Sequence, residues 1–98
     1  LTSQSLNIRY AAATGLIYFQ DKRALNIIEK ILSIQSLTSD NSYILTSDKL
    51  YGLKFNVLQG LKKTGWKDLA RIVKKNIEKE KDLKLVSLAR GILNELDY

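Results

Sequence analysis

The side chains available for chemistry in this chain are carboxylates, ammonium and guanidinium groups, phenols, hydroxyls and amides. Its 98 residues include no Cys, no His, no Met and no Pro. That inventory removes thiol nucleophiles, Cys or His zinc sites, the Ser-His-Asp and Cys-His triads, and imidazole acid–base chemistry. The acidic residues do not make up the loss. The run Ser39 to Tyr43 (SDNSY) lacks the rest of an EF-hand loop. The glycines at 15, 52, 60, 65 and 91 stand singly, and no GxxxxGK[ST] phosphate loop occurs. Asp21 with Glu29, and Asp68 with Glu78, read as surface charge rather than as acid–base couples. Neither an enzyme nor a cofactor or metal site is expected.

The sharper pattern is basic. The chain carries 16 Lys and Arg against 10 Asp and Glu, a net +6. Residues 1–48 are neutral overall, and the whole excess lies in residues 49–98. Such asymmetry is the compositional cue for an anionic partner. At 100° per residue, Lys67, Arg71, Lys74 and Lys75 share one arc of a helix, with Leu69, Ile72, Val73, Asn76 and Ile77 opposite. Lys62 and Lys63 extend the charge at the preceding turn. A stripe through Lys63, Lys67, Arg71, Lys74 and Lys75 could follow a phosphate backbone, with affinity that falls as salt rises. Trp66 or Tyr51 is the candidate for stacking a base. The plainer reading is a solvated lysine face that keeps a small domain soluble.

Helices must position these groups, because apolar residues recur at helical spacing and proline is absent. The first is expected from about Leu6 to Phe19, with Ile8, Ala12, Leu16 and Phe19 as one stripe. Asp21 is expected to cap the second, Lys22 to about Ser36, with Leu25, Ile28, Ile31 and Leu32 inward. Residues 37–47 read as a loop that packs down through Tyr43, Ile44 and Leu45. Ser47 or Asp48 would cap a third helix, Lys49 to Lys63, closed by Thr64-Gly65. The fourth runs from Trp66 to Lys79. Asp82 caps the fifth, Leu83 to Leu96. Period-2 alternation does not persist, so the fold class is all-α, with about five helices in one domain of 11.1 kDa.

Three of these helices align. Ile8, Leu50 and Leu85 coincide, as do Ala11, Leu53 and Leu88, then Leu16, Leu58 and Leu93, then Phe19, Leu61 and Leu96. Repeats at such offsets describe an α–α superhelix, in which each helix pair buries the face its neighbour leaves open. The run NIRYAAATGLIYFQDKRALNIIEKIL resembles a HEAT repeat of the type found in phycobilisome lyases. The resemblance lies in Arg9, Ala11 to Ala13, Leu16, Asp21, Ala24 and Leu25. DLKLVSLARGILNEL looks like the opening half of another repeat, while the middle copy has Lys54 in place of small Ala12. The resemblance implies a HEAT-like solenoid, with Arg9 hydrogen-bonded to the neighbouring turn, and keeps a subunit of a lyase-type enzyme as a third role. The stretch LKKTGWKDLARIVKK with LVSLARGILNEL is also similar to the N-terminal helical domain of transcription elongation factor S-II. There Leu61, Thr64, Val73, Leu88 and Ala89 fit, and Trp66-Lys67 and Leu96 depart.

Both resemblances imply a protein-docking helical module. The leading expectation is thus a non-catalytic interaction scaffold, a fragment or module of a longer solenoid, with another protein as partner. Tyr10, Tyr18 and Tyr51 are candidates to line its docking groove. Nucleic acid is the alternative partner. The fifth helix is expected to leave an apolar edge uncovered, open to self-association. No run approaches the length of a membrane span and the N-terminus lacks signal-peptide character, so no membrane partner and a cytoplasmic location are expected.

Overall fold

The computed structural model describes the backbone of residues 3–34 and 47–98, and the side chains of residues 8–34 and 48–98. It contains five α-helices: α1 (Ser3–Leu16), α2 (Leu25–Ser33), α3 (Ser47–Thr64), α4 (Lys67–Ile77) and α5 (Leu83–Glu95). No strand occurs among the described residues. The helix boundaries follow local chemistry. The Asp21 carboxylate accepts from the Arg23 amide at 2.9 Å and opens a 3₁₀ turn, Lys22–Ala24, ahead of α2. The Asp82 carboxylate accepts from the amides of Lys84 and Leu85 and starts α5. Gly65 ends α3 with φ +63 and donates its amide to the Leu61 carbonyl at 2.8 Å. The second helix is shorter than its periodicity predicts, since the 3₁₀ turn occupies its start and Ile34 is already extended. Of the expected loop at 37–47, residues 37–46 lie outside the described residues, as does a Ser47 side-chain cap, while the backbone of Ser47 already opens α3.

α3 is the axis of the assembly. It packs against α1, α2 and α5, while α4 packs between α2 and α5. The odd-numbered helices therefore touch in sequence, α1 to α3 to α5, and α2 touches α4 in a second row. Tyr10 shares a cluster with Leu50, and Ile17 abuts Gly60, so α1 and α3 run in the same direction. The shortest dimension is 17 Å, which admits two rows of helices at the usual interaxial distance of about 8–10 Å. Ile17, Ile28, Ile31, Val57, Leu61 and Leu69 are fully buried between the rows.

The stripe on α1 exists, but it faces the other way. Ile8 is 67% exposed and Phe19 81% exposed. Ala12 is exposed, and Leu16 is only half-buried. The buried side is Tyr10, Ala13 and Thr14, continued by Ile17 in the 3₁₀ turn Ile17–Phe19. Thr14 satisfies its hydroxyl on the Ala11 carbonyl at 2.7 Å, which lets a polar side chain sit inward. The internal correspondence shifts accordingly. Tyr10, Leu50 and Leu85 are all buried, as are Thr14, Lys54 and Ala89, then Ile17, Val57 and Ile92. The first copy is thus two residues out of the register its apolar residues predict. Lys54 matches Thr14, not Ala12.

Candidate interaction surfaces

Lys54 shows what a polar group costs in this core and how the fold meets that cost. It is 3% exposed on α3, among apolar positions. Its Nζ donates to the Ile34 carbonyl at the end of α2, at 2.6 Å, and to Glu80 Oε1 at 2.7 Å. Glu80 Oε2 in turn accepts from the Asp82 amide at 3.0 Å. One ammonium therefore ties the end of α2 to the turn between α4 and α5. Both charges are paired and hydrogen-bonded, the condition for holding an ion pair out of water. Leu32, Leu58, Val73, Leu85 and Ala89 wall the small cavity beside it. With every polar end occupied, the pair is a structural joint. Its sequence signal was a lysine inside the apolar register of α3.

The basic stripe is exposed as its spacing predicts. Lys63, Lys67, Arg71, Lys74 and Lys75 all face solvent, while Leu69 and Val73 are buried behind them and Ile72 and Ile77 are half-buried. Arg71 lies 3.8 Å from Asp68 on its own helix. Lys75 reaches across to Glu29 on α2 at 3.8 Å. Lys63, Lys67 and Lys74 form no ion pair with a described residue. Lys75 and Lys79, near one another on the predicted helix, also line a cleft between α2 and α4 with Glu29 and Lys30, residues of α2 that sequence spacing did not associate with them. Lys74 and Lys75 occupy the last turn of α4, where cations offset the negative end of the helix dipole.

The aromatic candidates do not join this stripe. Trp66 is 5% exposed and packed in the core, with its amide on the Thr64 hydroxyl at 3.2 Å, so it is not a stacking platform. Tyr51 lies almost parallel to Phe55, with ring centroids 6.2 Å apart. Tyr10 is buried with Ile31 and Leu50, leaving Tyr18, 50% exposed, and Tyr51, 36% exposed, as the members of the expected tyrosine groove that reach solvent. Arg9 is exposed and makes no hydrogen bond to a described residue, contrary to the turn contact implied by the HEAT resemblance.

The largest surprise is where the apolar edge lies. On α5 the exposed side is Lys84, Ser87, Arg90, Gly91, Asn94 and Glu95, with Leu83 alone at its start. The apolar edge expected there is instead on α1. Ile8, Ala12 and Gly15 fall within about 60° of one another around the α1 axis, Phe19 is exposed in the 3₁₀ turn that follows, and a side chain added at Gly15 would meet nothing. The signal was available, since residues 8–19 hold more apolar side chains than one helix face can bury. The only charge in that stretch is Arg9.

Electrostatics single out one further spot. Hydrogen bonds from the Arg23 side chain, and then from its backbone amide, pull the Asp21 carboxyl down to about 2. The same pair raises the Arg23 guanidinium. It fastens the turn that leads from Phe19 into α2. Among the described residues no group of carboxylates could hold a metal ion, and no helix is long and apolar enough to cross a membrane. No protein family, curated protein or solved structure matches this chain.

Proposed function

We propose that the chain is a non-catalytic protein-interaction module of the HEAT-like solenoid kind, and that it docks its partner through the outward face of α1. The observation that carries this is the exposure of Ile8 on α1 and Phe19 in the 3₁₀ turn that follows it, 67% and 81%, at the two ends of a nearly uncharged stretch. Large apolar side chains held in water favour burial against another surface. The solenoid reading draws support from the contact order, α1 to α3 to α5 beside α2 to α4, and from the buried positions that recur between α3 and α5. A terminal unit of such a stack is expected to be polar on its outer side. α5 meets that expectation and α1 does not.

The test places a photo-crosslinking side chain at Ala12 on α1 or at Ser87 on α5, in cells that make the chain. The expected result is a discrete adduct from position 12, lost when Phe19→Lys is added, with none from position 87. Equal labelling from both positions overturns the reading.

A second reading is binding of nucleic acid along Lys63, Lys67, Arg71, Lys74 and Lys75. The cleft that gathers Lys30, Lys75 and Lys79 around the single carboxylate of Glu29 favours it. With Trp66 buried, the readout is anisotropy of labelled duplex DNA or single-stranded RNA at about 50 and 200 mM salt. Binding that weakens with salt and is lost in the Lys67→Glu, Arg71→Glu, Lys74→Glu variant supports it. No binding at low salt leaves the stripe as a solvated face.

A further inference from the structure

The cleft between α2 and α4 differs in kind from the cavity beside Lys54. Its volume is about 450 Å³, within the range of small-ligand sites. No apolar or aromatic residue lines it. Glu29, Lys30 and Ser33 of α2 form one wall, and Lys75 in the last turn of α4 and Lys79 just past it form the other. The two helices run in the same direction, since Glu29 lies by Lys75 while the Ile34 carbonyl and Glu80 both meet Lys54 Nζ. That buried joint ties the end of α2 to the turn after α4, and so sets the spacing of the two walls.

Three ammonium groups meet one carboxylate here, an excess of two positive charges. Like charges so gathered repel one another. Helix dipoles account for part of the excess, because the C-terminus of each helix carries about half a negative charge. The end of α2, however, already has the Lys54 ammonium on the Ile34 carbonyl at 2.6 Å. The end of α4 has Lys74 in its last turn, outside the cleft. Lys75 lies 3.8 Å from Glu29, too far for a hydrogen bond. Lys30 and Lys79 form no ion pair with a described residue.

The neutral groups are spent on their own helices. Ser33 Oγ donates to the Lys30 carbonyl at 2.8 Å, and Asn76 Nδ2 donates to the Ile72 carbonyl at 2.9 Å. What remains is a set of ammonium groups with nothing beside them to hold a hydrocarbon or a base. A ligand that answers two excess charges in so small a space must be charge-dense. A nucleic-acid diester brings one charge per phosphate. A terminal phosphoryl group carries about −1.5 to −2 near pH 7, and condensing a second phosphate onto it adds more.

We infer that the α2–α4 cleft binds a condensed phosphate group, free or carried on a nucleoside, through Lys30, Lys75 and Lys79. The Glu29 carboxylate stands among them and limits the affinity. This rests on the anionic-partner reading of the basic surface, narrows its ligand, and is independent of docking through α1.

Calorimetric titration of the purified chain with inorganic pyrophosphate at fixed ionic strength tests it. One-to-one binding is expected, weakened about three- to fivefold by Lys30→Gln and by Lys79→Gln, and strengthened by a similar factor by Glu29→Gln. All three positions reach solvent, so the variants should fold as the parent does. Lys67→Gln lies about 12 Å from Lys75 along α4, beyond the screening length of about 8 Å at 0.15 M salt, and leaves binding unchanged. Adenosine diphosphate bound as tightly as pyrophosphate assigns the site to the phosphates alone, and tighter binding assigns it to a nucleotide. Absence of saturable binding, or an equal loss from Lys67→Gln and Lys79→Gln, overturns the inference. Labelled duplex DNA separates the two readings. DNA binding without pyrophosphate binding preserves the nucleic-acid reading while the inference fails, and pyrophosphate binding without DNA binding does the converse.

Discussion

The first and last helices of the α1–α3–α5 row present opposite surfaces to solvent. α5 ends the row with Ser87, Arg90, Asn94 and Glu95 outward, whereas α1 begins it with Ile8, Ala12 and Gly15 outward and Phe19 exposed in the 3₁₀ turn after it. Their inward sides are alike: Tyr10, Thr14 and Ile17 on one, Leu85, Ala89 and Ile92 on the other, all buried against α3. Two helices of equal standing in the core thus differ only in what lies beyond them. A stack that grows by covering apolar faces is finished where the outer face is polar and unfinished where it is apolar. This difference between the two ends is what the docking role proposed for α1 rests on, without reference to any active group.

The firmest attack on it is at the joint that holds the rows together. Lys54→Ala leaves the Glu80 carboxylate, 11% exposed, without its cation. We expect a loss of about 3 kcal/mol in urea unfolding, and a large part of it recovered in the Lys54→Met, Glu80→Gln double variant. If Lys54→Ala costs nothing, the ion pair is not what seats α3 between the two ends.

Next comes the contact that seats α1. A Cβ at Gly60 would lie 2.7 Å from Ile17 Cγ2, and Ile17 is fully buried with no room to retreat. Gly60→Ala should cost about 1–3 kcal/mol, despite the better helix propensity of alanine. A gain instead would mean that α1 sits less tightly on α3 than α5 does.

Gly15→Ala and Gly91→Ala form the matched pair across the two ends. Neither added methyl meets another atom, so each should raise stability by about 0.5–1 kcal/mol in dilute solution. Unequal gains at low concentration would show that one of the two faces is not open.

The smallest expected effect is that of pH on the turn after Phe19. The Asp21 pKa is depressed in the folded chain, from an ordinary 3.8 to about 2. Its contribution is therefore full above pH about 4 and is lost as pH falls toward 2. Thermal melts of Asp21→Asn should differ from the parent at pH 5 and converge near pH 2. A constant offset would mean that the Arg23 pair adds nothing.

Much of the fold was legible because it is local. A carboxylate reaching an amide two residues on, as at Asp21 and Asp82, depends on little beyond that turn, and so does a glycine accepting positive φ at position 65. The exposed basic stripe was equally legible, since α4 is strongly two-faced and leaves no choice of which side to bury. α1 gave no such guidance. Its apolar residues surround the axis, and the polar ones that turned inward, Tyr10 and Thr14, are of types that pattern reading assigns to the surface.

The residues alone determined that this chain is helical, where its capped helices start and α3 stops, that α4 is basic on its solvent side, and that thiol and imidazole chemistry is absent. Tertiary structure decided which side of α1 faces the core, that Trp66 is packing rather than platform, and that a lysine and a glutamate 26 positions apart meet in the interior. The physical reason is range. Caps, propensity and periodicity act within a turn or two of helix, whereas burial is settled by whichever distant surface arrives to exclude water.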